Sequence, residues 1–238
     1  MRPIFDLQFM ISIVPEIIKV VPVTLNITVV SMLFAIFIGL ITALVRIYKI
    51  PVASQIASIY LSFTRGTPLL VQIYLAYYGI PKLLDYTHTY YGWNIDINGI
   101  PAIVFIYFAF TLNVGAYLSE TIRAAIQAID KGQMEASLAI GMTNWQGLRR
   151  IILPQALAVA LPSLGNTVIS LIKDTSLAFM ISVVEMMGEA KILGARGLQF
   201  FEVYIVVALI YWVICIFVEQ AVILLENQIK RFEGGKTL

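Results

Sequence analysis

Apolar residues in this chain fall in long runs, without the strict alternation of strands or the narrow stripe of a soluble helix. Crossing a bilayer takes about 20 mostly apolar residues, and five stretches qualify: 20–45, 56–80, 100–129, 151–181 and 201–225. Read as helices, they predict an all-α integral membrane protein with about five transmembrane helices. The flanks are an N-terminal extracytoplasmic segment, 1–19, and a cytoplasmic tail, 228–238; between them, 20–227 forms one transmembrane domain.

The longest piece that cannot sit in lipid lies between the third and fourth runs. Asp130 with Gln133 reads as a helix start, Gly141 as a left-handed stop, and Thr143 with Gln146 as a second start. This predicts a short helix over about 131–141, a sharp turn, and a second helix running into the membrane. Two readings fit it: a docking element, or an ordinary surface helix with Glu135 well placed near its N-terminus.

The fourth run is too long. About 30 residues of helix would measure roughly 45 Å against a hydrocarbon core of about 30 Å, so the run begins in the cytoplasm or breaks. Pro154, Pro162, Gly165 and Asn166 are the candidate breakers, followed at membrane depth by Lys173, Asp174, Thr175 and Ser176. Polar groups there default to a functional reading, and an internal Lys173–Asp174 ion pair is the alternative. The next stretch, Val183 to Arg196, is too polar to span and reads as an amphipathic or re-entrant segment at the outer face.

Basic residues orient the chain. Arg46, Lys49 and Arg65 follow the first run, Arg123, Lys131, Arg149 and Arg150 the third, and Lys230, Arg231 and Lys236 the fifth. The positive-inside rule puts these regions in the cytoplasm and the N-terminus outside. Tyr86, Tyr90, Tyr91 and Trp93 suit the outer interface, in a loop with Lys82, Asp85, His88 and Asp96. Asp6, Pro15, Glu16 and Lys19 interrupt any cleavable signal, so the first span serves as an uncleaved insertion signal.

Composition agrees. The chain is 60% hydrophobic and 13% charged, with a mean hydropathy of +0.88, against about 25% charged residues in soluble domains. A net charge of +2 spread over several loops gives no nucleic-acid partner. Cys215 is the single cysteine and His88 the single histidine, so neither an intrachain disulfide nor a histidine-based metal site is expected. Catalytic constellations are absent from the sequence. Glu233-Gly234-Gly235-Lys236-Thr237 mimics the end of a phosphate loop, but Lys230 stands where the pattern needs its first glycine.

Glu135-Ala136 followed by Gly141 and Ile152-Leu153-Pro154 resembles the EAA signature of membrane subunits of ATP-binding-cassette (ABC) importers. The likeness is closer to the polar-amino-acid uptake group. It rests on Ala116-Tyr117-Leu118-Ser119-Glu120, Gly132 to Ala136, Leu153-Pro154-Gln155-Ala156, Leu161 to Asn166, Lys173 to Leu177, and Arg65-Gly66-Thr67-Pro68-Leu69-Leu70, in family order. The resemblance covers nearly the whole chain from the first span onward. It implies a type I ABC importer permease fold in which 131–141 is the coupling helix. Glu135, Ala136, Ser137 and Gly141 would then meet a separate ATPase that carries ATP and magnesium. An extracytoplasmic solute-binding protein and a second permease subunit are the other implied partners, and no cofactor is expected on this chain.

Under that resemblance Asn166, Lys173, Asp174, Thr175 and Ser176 are the candidate substrate pathway, because an amino acid carries both an ammonium and a carboxylate. Arg65, Glu120, Arg123, Pro154 and Pro162 are structural or gating candidates; Glu120 with Arg123 reads as a gate or as a plain salt bridge. Two departures stand out: Ser137 replaces the second alanine of the signature triplet, and the loop 86–98 is longer than the family minimum. The tract from Lys173 to Gln220, with Ile210-Tyr211-Trp212, is similar to cystine-type permeases. The rival reading is a secondary carrier or channel that needs no ATPase. Such carriers show two interrupted spans in matching halves, and this sequence offers only the region Pro162 to Asn166.

Overall fold

The computed structural model describes residues 6–92 and 99–234. Trp93 and Asp96 of the loop 86–98, and Gly235, Lys236 and Thr237 of the tail, lie outside the described residues. The first helix, α1 (Leu7–Ile47), starts well before the expected span. Asp6 caps it, its Oδ1 accepting from the Phe9 amide at 2.9 Å, and that bond holds the Asp6 carboxyl below its usual range. At 1.5 Å per residue α1 is about 60 Å long, twice the hydrocarbon thickness. Residues 7–19, expected as a segment outside the transmembrane domain, are thus helix continuous with the span. Ile13 and Ile17 bury that part against Met186, Leu193 and Val203.

The second run is not one helix. It comprises α2 (Ala53–Gly66), then α3 (Leu69–Tyr74), a π-turn over Leu75–Gly79, and α4 (Ile80–Tyr91). Tyr86 and Tyr90 therefore sit on a helix end, closed by Gly92 in the left-handed region. Then come α5 (Ala102–Ala128), α6 (Lys131–Ala139) and α7 (Asn144–Gly147). A π-turn over Leu148–Ile152 leads into α8 (Leu153–Asp174), followed by a 3-10 turn over Thr175–Ile181, α9 (Met186–Gly197) and α10 (Phe200–Gly234).

Among the described residues, helical stretches long and apolar enough to cross a membrane are Leu7–Ile47, Ala102–Ala128, Asn144–Ile181 and Phe200–Gln228. The fifth expected span is the interrupted α2–α4 segment. The interruption is not where the prolines of the fourth run pointed. Helix α8 runs unbroken through Pro162, Gly165 and Asn166, within a helical stretch of 38 residues from Asn144 to Ile181. Pro154 lies just after the π-turn Leu148–Ile152, where the helix is locally widened and the regular hydrogen-bond ladder is already interrupted. Gly165 is a contact, not a breaker: a Cβ there would lie 2.5 Å from Val222 Cγ1, so its absence lets α8 and α10 pack closely.

Helix α5 is central. Buried residues make up 61% of its apolar window but only 17% of that of α10, so α5 is the post around which the bundle packs. Phe105, Ile106, Phe110 and Leu118 join Ile27 and Ala35 of α1, Ile73 of α3 and Leu171 of α8 in the main core. Helix α10 leaves Trp212, Phe217 and Leu224 exposed, a face suited to lipid or to another membrane subunit.

Candidate functional site

The break in the second run builds the first wall of the site. Pro68 has no N–H and biases the residue before it toward extended backbone, and Thr67 adopts φ −122°, ψ 146°. The carbonyls released by the break are met by one side chain. Gln72 Nε2 donates to Thr64 O at 2.8 Å, to Thr67 O at 3.1 Å and to Thr67 Oγ1 at 2.9 Å. Asn113 Nδ2 of α5 then donates to Gln72 Oε1 at 3.1 Å. Both amides are buried. Irregular backbone in a membrane protein persists where protein or a water-filled cavity surrounds it, and here the Gln72 and Asn113 side chains supply the protein partners.

A cavity of about 520 Å³ opens beside that break, within the range that holds small molecules. Thr67 and Pro68 line it from the break, Asn113 and Tyr117 from α5, and Asn166, Ser170 and Asp174 from α8. Asp174 is the single charged residue of this lining. Lys173 faces another groove of about 600 Å³, shared with Ser176, Tyr211 and Cys215. Consecutive helical residues diverge by about 100°, and among the described residues no ion pair joins Lys173 to Asp174. Thr175 is fully buried, its hydroxyl donating to Ile172 O at 2.7 Å. Of the five pathway candidates, then, Asn166 and Asp174 share one cavity, Lys173 and Ser176 share another, and Thr175 faces neither.

One turn along α5 from Tyr117, Glu120 gathers three guanidinium groups. Arg46 Nη1 lies 2.6 Å from Oε1, Arg123 Nε 2.8 Å from Oε2, and Arg65 Nη1 3.6 Å from Oε1. The expected Glu120–Arg123 contact is thus part of a tie between α1, α2 and α5.

Helix α6 carries its own end signals. Asp130 Oδ1 accepts from the Gly132 amide at 2.7 Å, and Gly141 has φ +86°, the left-handed stop that favours glycine. Thr143 and Gln146 complete a reciprocal capping box, with Thr143 N donating to Gln146 Oε1 at 2.9 Å and Gln146 N to Thr143 Oγ1 at 3.2 Å. Glu135 and Ala136 are exposed, as are Leu138, Ile140 and Trp145. Ser137 differs from expectation. It is 3% exposed, and a Cβ on Gly147 would lie 2.5 Å from its hydroxyl. The small side chain admits α7 of the same chain and does not face outward.

Sequence reasoning passed over Gln72, Asn113 and, most of all, Glu185. Glu185 is fully buried. It caps α9 by accepting from the Gly188 amide at 2.9 Å and takes the Tyr211 hydroxyl of α10 at 2.9 Å; Thr24 Oγ1 of α1 lies 3.5 Å away. Burial pushes its carboxyl above the usual 4.5, against the pull of the surrounding amide and hydroxyl donors. Its signal in the sequence was an acid four residues before the helical Glu189, with no local hint of Thr24.

The chain that builds this helical bundle, with its interrupted span and polar cavity, matches a known family. The family described as binding-protein-dependent transport system inner membrane component matches residues 35–231. The chain belongs to that family. Among its relatives, the probable amino-acid permease protein YxeN of Bacillus subtilis is 44% identical over 211 residues, covering 89% of this chain and 90% of the relative. The L-cystine transport system permease protein TcyL of the same organism is 39% identical over 231 residues, covering 97% and 94%. A crystal structure of an amino acid ABC transporter with histidines superposes with a TM-score of 0.79 at 33% identity, covering 95% of this chain and 100% of that one. Inward-facing MetNI methionine ABC transporter, at 20% identity and a TM-score of 0.67 over 90% of this chain and 95% of that one, shares the fold.

The chain accordingly has the type I ABC importer permease fold and is a multi-pass membrane protein. As an inner-membrane component of such a system, it is a transport subunit working with ATPase and binding-protein partners.

Proposed function

We propose that this chain is the permease subunit through which an ATP-driven importer passes a polar amino acid across the cytoplasmic membrane, with the N-terminus outside and the C-terminus inside. The observation that carries this reading is the 520 Å³ cavity between α3, α5 and α8, lined by hydroxyls and amides and holding one carboxylate, Asp174. Asp174 faces the substrate ammonium, and Asn113, Asn166 and Ser170 supply neutral hydrogen-bonding groups. Names of relatives that include L-cystine permeases favour cystine as the substrate to try first.

On this reading α6 is the coupling helix. Glu135 and Ala136, with the exposed Leu138, Ile140 and Trp145 beside them, enter a cleft of an ATPase subunit that binds ATP and magnesium. The buried Ser137–Gly147 contact and the capping box fix α6 to the helical run into α8, so a displacement of α6 is carried toward Asp174. Two permease chains, identical or related, complete the pathway, and an extracytoplasmic binding protein delivers the cargo.

The test is uptake of labelled cystine, arginine and glutamine into proteoliposomes holding the full complex. Asp174→Asn keeps the volume and removes the charge; uptake is expected to fall about tenfold or more, the size of one charge-assisted hydrogen bond. Undiminished uptake would remove this cavity from the pathway.

A further inference from the structure

Glu120 has more cations around it than it can satisfy. Arg46 and Arg123 occupy its two oxygens at 2.6 and 2.8 Å. Arg65 stands off at 3.6 Å and is the most exposed of the three, with 43% of its side chain accessible against 25% and 34% for Arg46 and Arg123. Three guanidinium groups on one carboxylate leave an excess of two positive charges, and the loosely held charge is Arg65. Its backbone, by contrast, is fixed: Gln72 clamps Thr64 O on one side and Thr67 O on the other.

The position of Arg65 gives that charge a direction. Thr67, two residues on, lines the 520 Å³ cavity, and so does Tyr117, one helical turn before Glu120. On α2 the exposed apolar stripe is Ile56, Ile59 and Phe63. At 100° per residue Arg65 lies about 200° around from Phe63, on the side away from that stripe. A lipid headgroup would need the guanidinium beside the apolar face; a solute moving past Thr67 meets it on the other.

We propose that Arg65, which lies outside the cavity wall two residues before the lining residue Thr67, is a substrate-binding residue that takes the carboxylate of an amino acid passing that wall, while the ammonium faces Asp174. The inference rests on the amino-acid reading above and deepens it. Arg65 is free to do this because its ion pair with Glu120 is the longest of the three, so exchanging Glu120 for a substrate carboxylate breaks little. The pair selects zwitterions: Asp174 rejects a substrate without a cation, and Arg65 rejects one without a carboxylate. It also gives the carboxylate a station between the cavity and the cytoplasmic ends of α1 and α5, where Glu120 then competes it off.

The experiment compares acids with their decarboxylated amines on the complete permease–ATPase complex in nanodiscs. The probe pairs are cystine and cystamine, arginine and agmatine, and glutamine and 4-aminobutanamide. Wild type should bind at least one acid about tenfold or more tighter than its amine. Arg65→Gln should bring that ratio close to one by weakening the acid alone, while unchanged amine binding shows that the site is intact. Arg65→Lys should restore part of the preference, because a point charge keeps the attraction and loses the forked geometry. An unchanged ratio in Arg65→Gln overturns the proposal. So does a variant that alters retention of anionic lipid and leaves the ratio alone, since Arg65 would then be a headgroup contact. If no acid in the panel binds wild type while the binding protein still stimulates ATP hydrolysis, the amino-acid reading falls and this inference with it; if acids bind and only the ratio fails to move, Arg65 alone is wrong.

Discussion

Removing the Glu185 carboxylate should destabilise the bundle more than any surface change in this chain. Glu185→Ala orphans the Gly188 amide, at 2.9 Å, and the Tyr211 hydroxyl, also at 2.9 Å. An unsatisfied buried donor costs about 1–3 kcal/mol. The third neighbour, Thr24 Oγ1, is at 3.5 Å and keeps its contact with the Met186 amide at 3.4 Å, so it adds little. The two losses are coupled, so the sum of about 2–6 kcal/mol is taken below its middle, at about 3 kcal/mol. For a chain of this length that is a fall in melting temperature of roughly 6–12 °C. Glu185→Gln keeps an acceptor for the Gly188 amide and should cost about 1 kcal/mol. Thermal unfolding of the detergent-solubilised protein, followed by size-exclusion chromatography, reads both. An alanine variant melting within about 2 °C of wild type, or a glutamine variant as damaged as alanine, would refute the hydrogen-bonding account.

The same residue fixes a sign with pH. Burial raises the Glu185 carboxyl above its usual 4.5, so the folded protein holds this proton more tightly than the unfolded chain. Its contribution is fully present below pH 4.5 and is lost as pH rises through the higher folded value. The stability of wild type relative to Glu185→Gln should therefore shrink with rising pH; a difference that grows would contradict the direction.

Three further outcomes are expected. Gly165→Leu drives a side chain into Val222, whose Cγ1 is 2.5 Å from the position of a Cβ, and should cost about 1–3 kcal/mol, measured as a lower melting temperature. Glu135→Arg changes an exposed residue of α6; the melting temperature should stay within about 2 °C, the surface norm, while co-purification of the ATPase is lost. Gln72→Leu removes the donor that braces Thr64 and Thr67 and should lower stability by about 1–3 kcal/mol, with amino-acid binding weakened alongside.

The features legible in the sequence were the local ones. A capping box spans four residues, so Thr143 and Gln146 announced their helix start directly, and Gly141 announced its stop. Long apolar runs likewise revealed the membrane class. What failed to show depended on partners far along the chain. Pro162 and Gly165 looked like breakers because the sequence does not display Val222, against which Gly165 packs. The true interruption, Thr67-Pro68, passed unnoticed inside an apolar run because Gln72 and Asn113, which make it tolerable, look like two isolated amides. Lys173 and Asp174 read either as joint contacts for one substrate or as an ion pair; on a helix, adjacency separates them into different cavities. Glu185 needed Thr24 and Tyr211, 161 and 26 residues away, before its role was visible.

The most direct test of the account is ATP-driven uptake by the reconstituted complex of this chain, its ATPase and its binding protein, with labelled cystine, arginine and glutamine as probes. Accumulation of at least one amino acid is predicted to require all three components together with ATP and magnesium, and to fall to background when any one is left out. Accumulation that persists without the ATPase would contradict the account and return the chain to the class of carriers and channels.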